Sequence, residues 1–119
     1  ALKLTKEDVE KNFDVNACGN LSRIVNTDFL NLKEEEIKTT GYVIDTLEAS
    51  LWCLYNSKSY EEAVLKAVNL GGDTDTIAAI TGSLAGFYYG YEAIPEKWIN
   101  NLIKKETIKE ITDNFIKNI

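Results

Sequence analysis

Along most of the chain the apolar residues recur every third or fourth position, the spacing of one helical face, and strand-like alternation is scarce. Thr5 ahead of Glu7 and Asp8 reads as an N-cap with an acidic first turn and predicts a short helix to about Phe13. From Asp14 to Leu32 the pattern fails. That stretch is rich in Asn, Asp, Ser and Gly and reads as a long loop with one short turn of helix. Loops of that length in compact domains tend to be functional or disordered. The run LKEEEIKTTGY predicts a short helix ended near Gly41. Val43, Leu47, Leu51 and Leu54 then share one helical face, with Ile44 and Trp52 beside it. Glu48 interrupts that apolar run and fits an exposed side of the helix.

Ser59 and Glu62 form an S-x-x-E capping box ahead of Ala63, Val64, Ala67 and Val68. This helix stops at Gly71-Gly72, where a left-handed C-terminal cap is natural. The next begins at Asp73 or Thr74 and runs to about Tyr89. No residue from Thr76 to Tyr91 carries a formal charge, yet the stretch is too short and too rich in Gly, Ser and Thr for a membrane span. Gly82, Gly86 and Gly90 recur every fourth position, so one face offers bare backbone, as in a central helix surrounded by others. Pro95 suits the first turn of a further helix with Trp98, Leu102 and Ile103 on its inner side. A last helix carries Ile108, Ile111, Phe115 and Ile119 on one face. With no linker, low-complexity tract or internal repeat, the expected fold is all-α, a single compact helical domain.

Composition narrows the chemistry. The 119 residues fit one domain or a large piece of one, and 45% are hydrophobic, enough for a real core. A net charge of −6 leaves no basic patch for a phosphate backbone, which argues against nucleic acid, and the acidic balance suits a cytoplasmic protein. Cys18 and Cys53 lie far apart without C-x-x-C spacing, which argues against a disulfide framework or a structural zinc. There is no histidine, so no Ser–His or Cys–His hydrolase can be built from this chain alone. The chain starts at Ala1 and contains no methionine, from which we expect a processed, cut or engineered piece.

The stretch LGGDTDTIAAITG carries the strongest chemistry. Asp73, Asp75 and Thr76 offer only oxygen, the donor that suits Mg²⁺, Mn²⁺ or Ca²⁺. Thr76 lies one turn beyond Asp73 and returns to the same side, while Gly71 and Gly72 let a ligand approach closely. The competing reading is structural: Asp and Thr at a helix start cap free N–H groups. An EF-hand is excluded because Ile77 and Ala78 stand where an oxygen ligand and a glycine are needed. A D-x-D phosphatase motif should follow a buried strand, whereas a helix and its cap precede this one.

The segment from Gly41 to about Leu102, containing GYVIDTLEASLW, NLGGDTDTIAAITGSLAGFYYGY and IPEKW in that order, closely resembles the C-terminal part of the ADP-ribosylglycohydrolase family, and CGNLSRI ahead of it fits as well. The resemblance implies an all-α fold and a cleft holding two divalent ions, Mg²⁺ or Mn²⁺. It implies removal of ADP-ribose from modified side chains or related conjugates. Asp73, Asp75 and Thr76 match the family's C-terminal metal ligands. The family's N-terminal Gly-Asp motif and Thr-Asp-Asp triplet, which supply the other ligands, have no counterpart here, nor does the acidic catalytic residue expected beside them. Residues 1–119 are therefore expected to be the C-terminal portion of such a domain, inactive alone, with the N-terminal part of the same domain and an ADP-ribosylated substrate as partners.

Asn20, Gly41, Tyr42 and Gly72 are candidate substrate contacts, with Asn16, Gly19 and Ser22 in the same loop as Asn20. Turns and a C-cap explain these residues equally. Tyr88, Tyr89 and Tyr91 are candidates for stacking on adenine, against a core role. The alternative function is a non-catalytic helical module whose D-T-D-T turn is only a cap.

Overall fold

The computed structural model describes residues 22–118. The helix expected from Thr5 to Phe13 lies outside them, as do Asn16, Cys18, Gly19, Asn20 and Ile119. The regular elements of the described residues are all helical, with no strand among them. They form α1 (Ser22–Asn26), α2 (Val43–Tyr55), α3 (Tyr60–Asn69), α4 (Thr74–Tyr89), α5 (Glu96–Asn100) and α6 (Lys105–Lys117), with 3₁₀ turns at Asp28–Asn31, Glu34–Glu36 and Tyr91–Ala93. The all-α expectation holds. None of these helices is long and apolar enough to cross a membrane.

The centre is the packing of α4 against both α2 and α3. Ser59 starts α3, its hydroxyl accepting from the Glu62 N–H at 3.1 Å. The Glu62 carboxylate reaches back to the N–H of Lys58 at 2.8 Å rather than to that of Ser59, so the box closes one residue early. Gly71 (φ 81°) and Gly72 (φ 69°) end the element in left-handed conformations. The glycine face of α4 meets the neighbour expected for it. A Cβ on Gly82 would lie 3.3 Å from the Tyr60 hydroxyl and 3.7 Å from Val64, and one on Gly86 3.9 Å from the Tyr60 ring. Gly90 instead terminates the helix at φ 86°. α4 is covered on two sides rather than surrounded: it buries Ile77, Thr81 and Ala85 but leaves Phe87 and Tyr88 exposed.

α2 is turned relative to expectation. Its buried side carries Asp45, Thr46, Glu48, Ala49, Ser50, Trp52 and Cys53, while Val43 is exposed and Leu47, Leu51 and Leu54 are only half-buried. The cause is a polar partner. Arg23 of α1 lies against this side and pairs with Asp45 and Glu48, so Glu48 is 1% exposed and not on a solvent face. The supposed loop ending at Leu32 is, from Ser22 on, a helix and a 3₁₀ turn fastened to α2. Phe29 and Leu30 are buried, the Trp52 indole donates to the Leu32 carbonyl at 3.0 Å, and the Asn56 amide donates to that of Leu30 at 3.0 Å. After the Glu34–Glu36 turn the chain runs irregularly to Tyr42, so the helix expected up to Gly41 shrinks to a single 3₁₀ turn. Cys53 is free and buried, and burial pushes its thiol up to about 12.

Past α4 the packing thins. Pro95 sits at the cap just ahead of α5 instead of inside its first turn, and Trp98 is half-buried with its ring 6.1 Å from that of Tyr60. Leu102 and Ile103 lie beyond the end of α5 and are exposed, not inward. α6 has its apolar stripe, but Ile108, Ile111 and Phe115 are exposed because the helix stands largely clear of the others.

The glycine face gives a paired prediction. Gly82→Leu should lose about 1–3 kcal/mol by forcing Tyr60 and Val64 aside. Gly86→Ala, whose new methyl meets only an ordinary contact, should be neutral or gain up to about 1 kcal/mol from helix propensity. Urea unfolding of the two variants checks both signs.

Candidate metal centre

The site is built where two helix entrances meet. Gly72 passes so close to Thr39 that a Cβ there would sit 2.4 Å from the Thr39 carbonyl oxygen, and its φ of 69° disfavours any side chain as well. This approach lets the Asp73 N–H donate to the Thr39 carbonyl at 3.1 Å. The start of α4 is thereby laid beside the segment leading into α2. Gly41 follows on that segment, and a Cβ on it would lie 3.6 Å from Asp73 Oδ2. Gly41, Gly72, Asp73 and Thr76 are thus brought together, with Tyr42 alongside. The Tyr42 N–H donates to the Thr40 hydroxyl at 3.2 Å, and its ring is about half exposed.

Asp73 occupies the N-cap position of α4, yet its side chain makes no cap hydrogen bond. Its Oδ1 instead accepts from the Thr76 hydroxyl at 3.0 Å, confirming that Thr76 returns to the same side. Asp75 lies in the exposed first turn, with its carboxylate in no hydrogen bond among the described residues. Two carboxylates and a hydroxyl fit a hard cation by donor type. They do not make a whole site: among the described residues no group of three or more acidic, Cys or His side chains gathers where a metal would be held. Asn20 lies outside the described residues. Of the tyrosines, Tyr89 is half-buried and its hydroxyl donates to the Ser57 carbonyl at 2.9 Å at the far end of α4, with Tyr88 packed edge-on at 4.9 Å. That places Tyr89 in a structural role, away from Asp73.

A second polar cluster escaped the sequence reading and braces the α2 entrance. Arg23 donates to Asp45 Oδ1 at 3.0 Å and to Glu48 Oε1 at 2.6 Å. The Thr40 hydroxyl donates to Asp45 Oδ2 at 2.8 Å. Burial alone would raise the Asp45 carboxyl, but the bonds from Thr40 and Arg23 outweigh it and hold it below the usual carboxylate range. The bond to Asp45 in turn raises the Arg23 guanidinium. Glu48 Oε2 is buried with no hydrogen-bond partner among the described residues. The signal for this cluster was present: Asp45 and Glu48 are spaced i, i+3 opposite the leucines, and Arg23 is the chain's only arginine.

The described residues define an all-α protein with an oxygen-only turn at a helix entrance, and the family model of the ADP-ribosylglycohydrolases matches residues 2–119. The chain belongs to that family. Among curated relatives it is similar to ADP-ribosylarginine hydrolase Tri1 of Serratia proteamaculans (strain 568), 45% identical over 83 residues, which is 70% of this chain and 23% of that protein. It is also similar to ADP-ribosyl-[dinitrogen reductase] glycohydrolase of Rhodospirillum rubrum, 34% identical over 68 residues, covering 57% of this chain and 23% of that one. ADP-ribosylhydrolase ARH3 of Mus musculus is 50% identical over 40 residues, 34% of this chain and 11% of its own. The chain spans less than a quarter of the length of these relatives.

Two predictions follow from the geometry. Gly72→Ala should cost about 1–3 kcal/mol, since both the left-handed backbone and the Thr39 contact oppose a methyl group. Asp73→Ala should change stability by no more than about 0.5 kcal/mol, below the usual loss of a working cap, because no cap bond is there to lose. Chemical denaturation of both variants tests the pair.

The ion cluster predicts acid sensitivity with a definite sign. A carboxyl depressed in the folded state stabilises the fold above its unfolded value of about 3.9, and that stability is lost as pH falls through the lower folded value. Asp45→Asn should therefore flatten the decline in stability below about pH 4. Arg23→Ala, which leaves Asp45 and the buried Glu48 facing each other, should cost about 1–3 kcal/mol at neutral pH, solvent at the Arg23 side lowering it from the loss in a fully buried pair. Thermal melts from pH 3 to pH 7 read both effects.

Proposed function

We propose that this chain is the C-terminal, metal-bearing portion of a divalent-metal-dependent hydrolase that removes ADP-ribose from modified protein side chains or related ADP-ribosyl conjugates. The observation that carries the reading is Asp73, which stands at the cap of α4 and does not cap it. Its carboxylate is turned to Thr76 and toward Gly41, where nothing but hydrogen fills the space a side chain would occupy. That disfavours the non-catalytic module, whose D-T-D-T turn would need the cap bond. The names of the Serratia and Rhodospirillum relatives support ADP-ribosylated protein as the substrate class.

In this reading Asp73, Asp75 and Thr76 hold part of a two-ion Mg²⁺ or Mn²⁺ site. When bound, the ions supply a positive clamp for ribose hydroxyls and a water. Gly41 and Gly72 leave room for the ribose against the backbone, and Tyr42 borders it. Asn20 is proposed for the same site. The remaining ligands and the acid/base group come from the N-terminal part of the domain, so the chain alone is inactive. Its net charge of −6 goes with a protein partner and not with nucleic acid or an anionic membrane. A cytoplasmic setting agrees with the free thiol of Cys53.

The test is a chimera in which the matched segment of the Serratia relative is replaced by the corresponding residues of this chain. It should release ADP-ribose from ADP-ribosylarginine protein in the presence of Mn²⁺, whereas the 119-residue chain should not. Asp73→Ala in the chimera should lower turnover on the order of 100-fold or more and weaken Mn²⁺ binding while the helical fold survives. An Asp73→Ala chimera of normal activity would return the turn to a structural role.

A further inference from the structure

α2 and α4 run parallel. Their entrances are joined by the Asp73–Thr39 hydrogen bond, and their exits by the bond from the Tyr89 hydroxyl to the Ser57 carbonyl at 2.9 Å. The sides that face each other are marked by the Ser50 hydroxyl, which donates to the Ile77 carbonyl at 3.2 Å. α3 fills one flank of this pair, with Tyr60 and Val64 against Gly82 and Gly86 and with Ala63 and Ala67 buried.

At 100° per residue, the other flank is made by Val43, Leu47 and Leu54 from α2 and by Ile80, Leu84 and Phe87 from α4. Leu47, Leu54, Ile80 and Leu84 are half-buried and form a floor, while Val43 (69% exposed) and Phe87 (95%) form the rim. None of the six is charged or polar. Along α2 the flank runs from Val43 to Leu54, about 17 Å at 1.5 Å per residue, or three helical turns. α2 is buried along its inner side and carries an apolar stripe along this flank, the pattern of a helix that belongs in an interior.

We infer that this open flank of the α2–α4 pair is the seat of a further helix, apolar along one stripe, supplied by the rest of the ADP-ribosylglycohydrolase domain. The inference rests on the proposal that the chain is a portion of such a domain, and it names the surface and the kind of segment that completes it. The occupant follows from two observations. The matched segment accounts for only 23% of the Serratia relative, so most of that domain lies outside it and must pack somewhere. The flank is also continuous with the candidate metal centre. Asp73 and Thr76 stand on the same side of α4 as Ile80 and Phe87, at the entrance end. A helix lying along this flank therefore comes alongside Asp73, where further ligands are needed. The lack of charge excludes an acidic or basic peptide. The competing occupant is α6 of a second copy, through Ile108, Ile111 and Phe115.

The experiment compares the isolated 119-residue chain with the Serratia chimera. Leu47→Asp and Leu84→Asp should each lower the melting temperature of the chimera by about 5 °C or more, yet move the isolated chain by less than about 2 °C. Leu65→Asp, on the outer side of α3, should leave both unchanged. Leu47→Cys, a milder change, should react with a thiol reagent at least about tenfold more slowly in the chimera than in the isolated chain. Equal labelling rates overturn the proposal. So does a chimera indifferent to Leu47→Asp, an isolated chain destabilised as much as the chimera, or a grafted chimera that fails to fold. An isolated chain that is dimeric, and becomes monomeric on Leu47→Asp, assigns the seat to a second copy instead. Release of ADP-ribose is scored separately. A chimera that passes the melting and labelling tests but is inactive keeps the seat and overturns the hydrolase reading.

Discussion

The contact on which most of this structure depends is the approach of Gly72 to Thr39. Helix packing alone would let α4 slide along α2 by a turn or more. The hydrogen bond from the Asp73 N–H to the Thr39 carbonyl prevents that, and it forms only because position 72 has no side chain and a positive φ. With the register set, the two helices start side by side and run in the same direction. Asp73 then faces Gly41, Ser50 meets the carbonyl of Ile77, and Tyr89 reaches Ser57. The candidate metal centre and the open apolar flank are two ends of one arrangement.

The second organising feature is a polar interior. α2 buries Asp45, Thr46, Glu48 and Ser50 and leaves its leucines toward the outside. Buried carboxylates are costly unless paired, and Arg23 supplies the pairing across a sequence separation of more than twenty residues. The same cluster reaches the site through Thr40, whose hydroxyl bonds Asp45 while the adjoining Gly41 borders Asp73. A helix chosen for burial by its apolar stripe alone is thus placed the wrong way round. The stripe on α2 answers to a surface other than the one that α1, α3 and α4 provide.

Local signals were legible and long-range ones were not. The bounds of α3 and α4, the stop at Gly71-Gly72 and the pairing of Thr76 with Asp73 depend on residues within one or two turns, and the sequence displays them directly. The orientation of α2, the anchoring of the Asp28–Asn31 turn by Trp52 and Asn56, and the burial of Glu48 depend on partners far along the chain, which periodicity does not report. In the sequence Gly72 reads as room left for a ligand. What the structure adds is that the room is needed first by Thr39. Of the site residues, Gly41, Gly72, Asp73 and Thr76 converge, and Arg23, Asp45 and Thr40, which hold the α2 entrance in place, were found only through their contacts.

Cys53 has a consequence of its own. It is wholly buried on the inner side of α2, in the core cluster that also holds Phe29, Leu30, Ile37, Ala67 and Ile77, and burial keeps its thiol protonated well into the alkaline range. Only the thiolate attacks oxidants and alkylating agents. At neutral pH the side chain is therefore doubly silent, by access and by protonation, and it reacts in molecules whose core has momentarily opened. The slow loss of this thiol therefore counts the openings of the core that the Gly72–Thr39 contact helps to hold in register.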